Sequence, residues 1–229
     1  MITKKYKSEL IAINNPFEGI YTLEFKSLNG KYKYLPGQFL HIAHDPDYDG
    51  SGQWPDSRCF SMQSNPDEET IKITFAVKGK FTQQMEQCLK VGSEAWLKLP
   101  YGDLFTQPHN KVNTVFIAGG TGITPFLSLF THESFNEYSN IRIYLGFRSK
   151  EYNIYNAELE CMQKNHKIQN DVLQISLTYN DLNIYHIFYE NGTFRDYFIS
   201  GPPVMIKAFK KALITLGVPN NKVLTDEWQ

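Results

Sequence analysis

Cysteine is scarce in this 229-residue chain. Its three cysteines, Cys59, Cys88 and Cys161, lie far apart and form no Cys-x-x-Cys pair. That spacing excludes a four-cysteine iron–sulfur site and argues against a disulfide framework. The six histidines are equally scattered. His41 and His44 are the closest pair, but no third ligand stands near them, so they read as surface polar residues and no metal is expected. A surplus of one charge is missing too: 23 Lys and Arg against 24 Asp and Glu leave a net charge of −1. Nothing therefore marks a nucleic-acid or anionic-membrane partner. No segment offers roughly 18 uninterrupted apolar residues, which excludes a transmembrane helix. Residues 1–9 (MITKKYKSE) carry lysines without an apolar core, so no secretory signal is expected, and cytoplasmic residence follows. There is no internal repeat and no low-complexity segment.

The chain is rich in core-forming residues, 41% hydrophobic and 14% aromatic, with length for one large domain or two modest ones. Two halves differ in period. Up to about residue 107 short alternating runs dominate. "TIKITFAV" sets Ile71, Ile73, Phe75 and Val77 against polar partners, as a half-buried antiparallel strand does. "IYTLEF" and "QFLHIA" behave likewise, separated by Asn29-Gly30 and Pro36-Gly37 turn signals. Several such strands predict a small antiparallel barrel. Only "FTQQMEQCLK" reads as helix here, with Phe81, Met85, Cys88 and Leu89 on one side. After Pro108 strands and helices alternate, the pattern of a doubly wound parallel α/β sheet. The polar stretch 106–113 is the candidate linker, giving domains at 1–107 and 108–229.

One stretch raises a chemical question. "TVFIAGGTGITPFLSLF" (114–130) reads as a strand buried on both faces, a glycine-dense turn and a helix with Pro125 in its first turn. Gly119, Gly120 and Gly122 allow a sharp bend and close approach of a ligand to main-chain N–H groups. An anion such as a phosphate or pyrophosphate suits that place, although a ligand-free βα turn has the same residues. "ISGPPVMIKAF" repeats the theme, with Gly201 and two prolines between a strand and a helix.

Five motifs in chain order then carry a resemblance. "PGQF" (36–39), "RCFSMQS" (58–64), "PYGDLF" (100–105), "AGGTGITP" (118–125) and "SGPPVM" (200–205) resemble the ferredoxin–NADP reductase superfamily over nearly the whole chain. The resemblance implies an FAD-binding antiparallel barrel joined to an NAD(P)-binding doubly wound domain. It places Arg58 on the flavin's pyrophosphate, Phe60 against the isoalloxazine or ribityl chain, and Ser61 near flavin N5, with Cys59 between them in the motif. The second pyrophosphate element, Gly-x-x-Ser/Thr opening a helix, falls on Gly79, Lys80, Phe81 and Thr82; many relatives have glycine at the Lys80 position. Gly120, Thr121, Gly122 and Pro125 resemble the dinucleotide turn. Ser200 stands where a Cys-Gly-Pro-Pro motif has cysteine near the nicotinamide, followed by Gly201 and Pro202. Trp228 is the candidate aromatic that stacks on the flavin and yields to nicotinamide, and Glu227 the candidate proton-relay carboxylate.

What the resemblance implies for chemistry is hydride transfer from nicotinamide C4 to flavin N5, with the rings stacked at the domain junction. Ser61, Ser200, Trp228 and Glu227 are the candidate catalytic residues. The chain has room for no fused carrier domain, so electrons are expected to leave to a separate ferredoxin, flavodoxin or oxygenase component. The alternative is a diffusible acceptor such as free flavin, quinone or ferric chelate, and a non-enzymatic nucleotide-binding subunit is a third reading. The nicotinamide cofactor leans towards NADH. The place where NADPH-preferring relatives offer Ser and Arg reads Thr178, Tyr179, Asn180, Asp181, and only Arg148 and Lys150 could compensate. A monomer is expected.

Overall fold

Alternation builds the first half of the protein into an antiparallel sheet. Its strands are β1 (Lys4–Phe17), β2 (Ile20–Ser27), β3 (Phe39–Ala43), β4 (Arg58–Ser61), β5 (Thr70–Ala76) and β6 (Glu94–Tyr101), in the order β4-β3-β6-β1-β2-β5. The computed structural model describes residues 2–165, 172–177 and 182–226. The sheet is nearly closed into a barrel. Beyond the end of β4, Gln63 donates its backbone N–H to the Lys72 carbonyl of β5 at 2.8 Å, linking the two edge strands. Inward residues Leu10, Leu23, Phe25, Leu40, Ile42, Ile71, Ile73, Leu97 and Leu99 fill the core. Each such side chain contributes about 1.5–3 kcal/mol of burial, which is why the pattern specifies the register so firmly.

One helix follows β5, α1 (Lys80–Cys88), and it buries Phe81 and Met85. Cys88 is exposed, unlike the expectation from its spacing. Leu89 is buried as expected: at the helix end its N–H returns to the Met85 carbonyl. The last turn therefore faces the core with its terminal leucine.

The second half begins earlier than the polar linker. The protein divides into two units between Asp103 and Leu104, because Leu104 is buried in the second core and Phe105 packs against it, 5.1 Å between ring centroids from Phe198. The strands are β7 (Thr114–Gly119), β8 (Arg142–Gly146), β9 (Leu173–Ser176), β10 (Asp196–Ser200) and β11 (Val223–Thr225), all parallel, in the order β11-β10-β7-β8-β9. The helices between them are α2 (Thr124–Phe130), α3 (Asn156–Asn165), α4 (Ile184–Asn191) and α5 (Pro203–Thr215).

Every residue of β7 is buried, as its unbroken apolar run predicts for the central strand of a two-faced sheet. Phe116 and Ala118 look to one core with Phe126, Phe130, Leu159 and Met162. Val115 and Ile117 look to the other, with Ile184, Ile187, Ile206 and Leu213. α2 and α3 thus cover one face, α4 and α5 the opposite one. The chain steps outward from β7 through β8 to β9, then returns to the other side of β7 for β10. The carboxyl ends of β7 and β10 therefore flank the topological switch point, where open α/β sheets bind ligands. Among the described residues, no helix is long and apolar enough to cross a membrane.

Candidate nucleotide-binding sites

In the barrel unit the candidate site centres on Arg58, the first residue of β4. Its guanidinium is held from three directions. Nη1 donates to Asp56 Oδ1 at 2.8 Å and to the Ser57 carbonyl at 2.7 Å, and Cζ lies 5.1 Å from the centre of the Phe81 ring. Phe81 is the second residue of α1, so this contact brings the β4 motif and the "KGKF" motif together. The other ring neighbour of Phe81 is His44, at 4.9 Å between centroids. Phe60 packs 5.6 Å from Phe75 on the barrel core, and Ser61 is buried.

Gly79 is the N-cap of α1 and has ordinary extended backbone; nothing lies within 4 Å of where a Cβ would stand. The space before the first turn is open, and first-turn N–H groups are those a helix leaves without internal partners. Thr82 serves this turn rather than pointing away from it. Its Oγ1 accepts from the N–H groups of Lys78 (3.0 Å) and Gly79 (3.1 Å) and donates to the Gly79 carbonyl at 3.0 Å. That fixes the loop, and Lys80 stands exposed at its tip. Cys59 faces away from Arg58 and Phe60, with Sγ 3.3 Å from His41 Nε2. Burial pushes the Cys59 thiol up against a smaller pull from Arg58, and burial with Lys98 pushes His41 down. The thiol is accordingly a poor nucleophile at neutral pH. Neither histidine is the free surface residue its sequence neighbourhood predicts: His44 Nε2 is buried without a hydrogen-bond partner.

The parallel-sheet unit builds its turn from backbone. A single 3-10 turn spans Gly120–Ile123, and α2 follows with Pro125 in its first turn. The three glycines do different jobs. Gly120 has φ +56 and empty space beside its Cα, so it is the open lip. Gly122 is a packing glycine: a Cβ there would lie 2.4 Å from both Cα and N of Gly201. Gly201, at φ +148, in turn lies against Gly119, where a Cβ would approach backbone N and O at 3.1 Å. The two turns at the switch point are therefore in main-chain contact. Thr121 is half-buried on the first turn, and Pro202 is the N-cap of α5 on the second.

Ser200 is buried at the end of β10 and donates Oγ to Asp226 Oδ2 at 3.1 Å. Asp226 is the residue that sequence reasoning missed. It sits just past β11, with its N–H on the Ile199 carbonyl, and only its place next to Glu227 and Trp228 in the sequence hinted at a role. Met205 is a second omission, its Sδ only 2.7 Å from the position a Gly119 Cβ would take. Arg148 and Lys150 are exposed after β8. Glu227 and Trp228, and the Thr178–Asp181 stretch used to weigh NADH against NADPH, lie outside the described residues. No group of three or more His, Cys, Asp or Glu among the described residues is arranged to hold a metal ion.

Comparison with known proteins agrees with this division. Residues 116–211 match the oxidoreductase NAD-binding domain family. The reductase component of propane 2-monooxygenase from Mycolicibacterium goodii is 27% identical over 97% of this chain and 67% of its own length. The ferredoxin–NAD(P)+ reductase component of the naphthalene 1,2-dioxygenase system of Pseudomonas putida is 24% identical over 75% of this chain, and the chain spans 48% of that relative. Among solved structures, a ferredoxin NADP+ reductase from Neisseria gonorrhoeae with bound FAD and NADP superposes with a TM-score of 0.73 at 16% identity, covering 98% of both chains. The antiparallel barrel followed by a parallel sheet with glycine turns at its switch point is the fold shared with that solved structure. Residues 116–211 thus carry an oxidoreductase NAD-binding domain, and the chain as a whole is similar to reductase components and shares the fold of ferredoxin–NADP reductases.

Proposed function

We propose that the protein is an FAD-dependent NAD(P)H oxidoreductase that hands electrons to a separate carrier, a ferredoxin, a flavodoxin or an oxygenase component. The observation that carries this reading is the pair of preformed anion seats. Arg58 is stacked beside the open first turn of α1, and the open Gly120 lip lies at the switch point of the parallel sheet. The residues fit the two groups: a guanidinium can pair bidentately with a diphosphate, and the unfilled space at Gly79 and Gly120 admits phosphate to main-chain N–H groups.

In this reading Arg58, Gly79, Lys80, Phe81 and Thr82 hold the FAD diphosphate, and Phe60 and Ser61 hold the ring end. Gly120, Thr121, Gly122, Pro125, Gly201 and Pro202 hold the nicotinamide dinucleotide, with Arg148 towards its adenosine half. The flavin these residues would hold would supply hydride-accepting chemistry at N5 and onward electron transfer. The protein's share is orientation. Ser200 is fixed by Asp226, so its hydroxyl proton points to the carboxylate and its oxygen lone pairs remain to accept from a carboxamide N–H. Glu227 and Trp228 keep their proposed roles beside the flavin. The further proposals are a monomer, a cytoplasmic location and a lean to NADH.

A diffusible acceptor is the second reading, and one observation favours it: Arg58 already carries a carboxylate partner, Asp56, which fits a flavin that comes and goes. Purified protein titrated with FAD and then with NADH or NADPH tests the main reading. Uptake of flavin, its bleaching by nicotinamide and electron delivery to ferredoxin or flavodoxin support it; a protein that takes up no flavin refutes it. Bleaching with turnover of free flavin but no electrons to either carrier selects the second reading.

A further inference from the structure

We propose that Asp56 is an internal stand-in for the cofactor's diphosphate on Arg58, so that FAD loads by exchange and Asp56 sets how tightly it is held. This rests on the FAD reading above. Arg58 is the cationic side chain of the β4 motif, and its contacts are with Asp56 Oδ1 at 2.8 Å, the Ser57 carbonyl at 2.7 Å and the Phe81 ring face. The Ser57 and Phe81 contacts fix where the guanidinium lies without neutralising it. Among the described residues, only the carboxylate does that.

Three features make Asp56 a replaceable partner. The pair is exposed, 54% at the arginine and 73% at the aspartate, so releasing it strands no buried charge, and such pairs are weak. A diphosphate offers two negative groups and a fork-matched set of oxygens, a stronger partner for the same guanidinium. Thirdly, Asp56 does not stand alone. It closes the segment 45–56, which holds Asp45, Asp47, Asp49 and Asp56 and no lysine or arginine. Asp45, Asp47 and Asp56 line one open depression with Tyr48, Gln53, Trp54 and Pro55. The segment is anchored to the barrel: Lys5 donates Nζ to Tyr48 Oη and to the Gly50 carbonyl, and Trp96 donates Nε1 to the Tyr48 carbonyl at 2.9 Å. The carboxylates of this segment are thus held near Arg58 and, partly offset by Lys5 and Lys98 over the Trp54 ring, weakly oppose an incoming diphosphate by like charge.

The test is the dissociation constant of FAD, read from quenching of flavin fluorescence, for the wild type, Asp56→Asn, Arg58→Ala and the double variant. Both side chains are exposed, and circular dichroism confirms that each variant folds. Asp56→Asn is expected to tighten FAD binding by about two- to fivefold at low salt, the range an exposed pair supports. The gain shrinks as salt rises. On the Arg58→Ala background the same substitution brings a clearly smaller gain, that of relieved like-charge repulsion alone, because the exchange needs the guanidinium. Equal or weaker binding by Asp56→Asn overturns the proposal, since Asp56 would then orient Arg58 or hold the cofactor itself. An undiminished gain in the double variant also overturns it, leaving long-range repulsion only. Wild type that takes up no FAD, or Arg58→Ala that binds as well as wild type, instead removes the functional reading on which exchange depends.

Discussion

The barrel unit and the parallel-sheet unit, in the reading proposed above, would each seat an anion, and by opposite means. In the barrel the seat is made of side chains: the Arg58 charge, the Phe81 face beneath it and the Thr82 hydroxyl that fixes the loop. Around it there is room, with nothing within 4 Å of a Cβ at Gly79. In the parallel sheet the seat is made of main chain, and only Gly120 has room; Gly122 is pressed so close to Gly201 that a Cβ added to it would stand 2.4 Å from the Gly201 backbone. A charge-built site fails when a charge is removed, whereas a shape-built site fails when a methyl is added. The two seats therefore respond to different substitutions.

Gly122→Ala separates them most. The added methyl meets the Gly201 main chain, which cannot swing aside as a side chain end does. A loss of about 1–3 kcal/mol in stability is expected, with nicotinamide dinucleotide affinity reduced at least about tenfold. Thermal unfolding and a binding titration read both, and unchanged values would show that the turns are not in contact. Arg58→Ala should weaken FAD by about ten- to hundredfold, the worth of one charge-assisted hydrogen bond, while leaving dinucleotide affinity alone. Gly120→Ala meets no neighbour, but a non-glycine residue at φ +56 is strained, so a loss of about 1 kcal/mol is expected. Gly79→Ala, at extended φ, should cost less than about 1 kcal/mol.

The smallest effect is a pH response of the barrel alone. Burial and Lys98 hold His41 below its ordinary value, so the folded state prefers the neutral ring. That contribution is complete above the unfolded value near 6.5 and is lost as pH falls through the lower folded value. Unfolding of wild type and His41→Gln by urea at pH 7 and pH 5 should show a larger acid loss in the wild type.

Local sequence announced what local physics decides. Val115 to Ala118 is a run that only a two-faced sheet buries, and the glycines after it need no distant partner to force a turn. The barrel register followed from alternation in Ile71, Ile73 and Phe75. Contacts between distant positions stayed hidden. His44 reads as polar surface, yet its ring lies on Phe81, 37 positions along. Ser200 and Asp226 meet only because β10 and β11 are neighbours in the sheet. Cys88 has the spacing of a core residue, and the helix ends on it before that face closes, leaving Leu89 to be buried. Even the glycine motif concealed its division of labour. Which glycine gives space and which gives contact depends on the turn after β10, about 80 residues away.

Each unit is proposed to seat one dinucleotide, with a hydride passing between the two cofactors. Anaerobic titration of the FAD-loaded protein with NADH, followed by visible absorption, addresses it in one vessel. The expected result is stable uptake of one FAD per chain and loss of the flavin's yellow colour on adding NADH or NADPH. Flavin that binds and stays oxidised in excess of both nucleotides would contradict it.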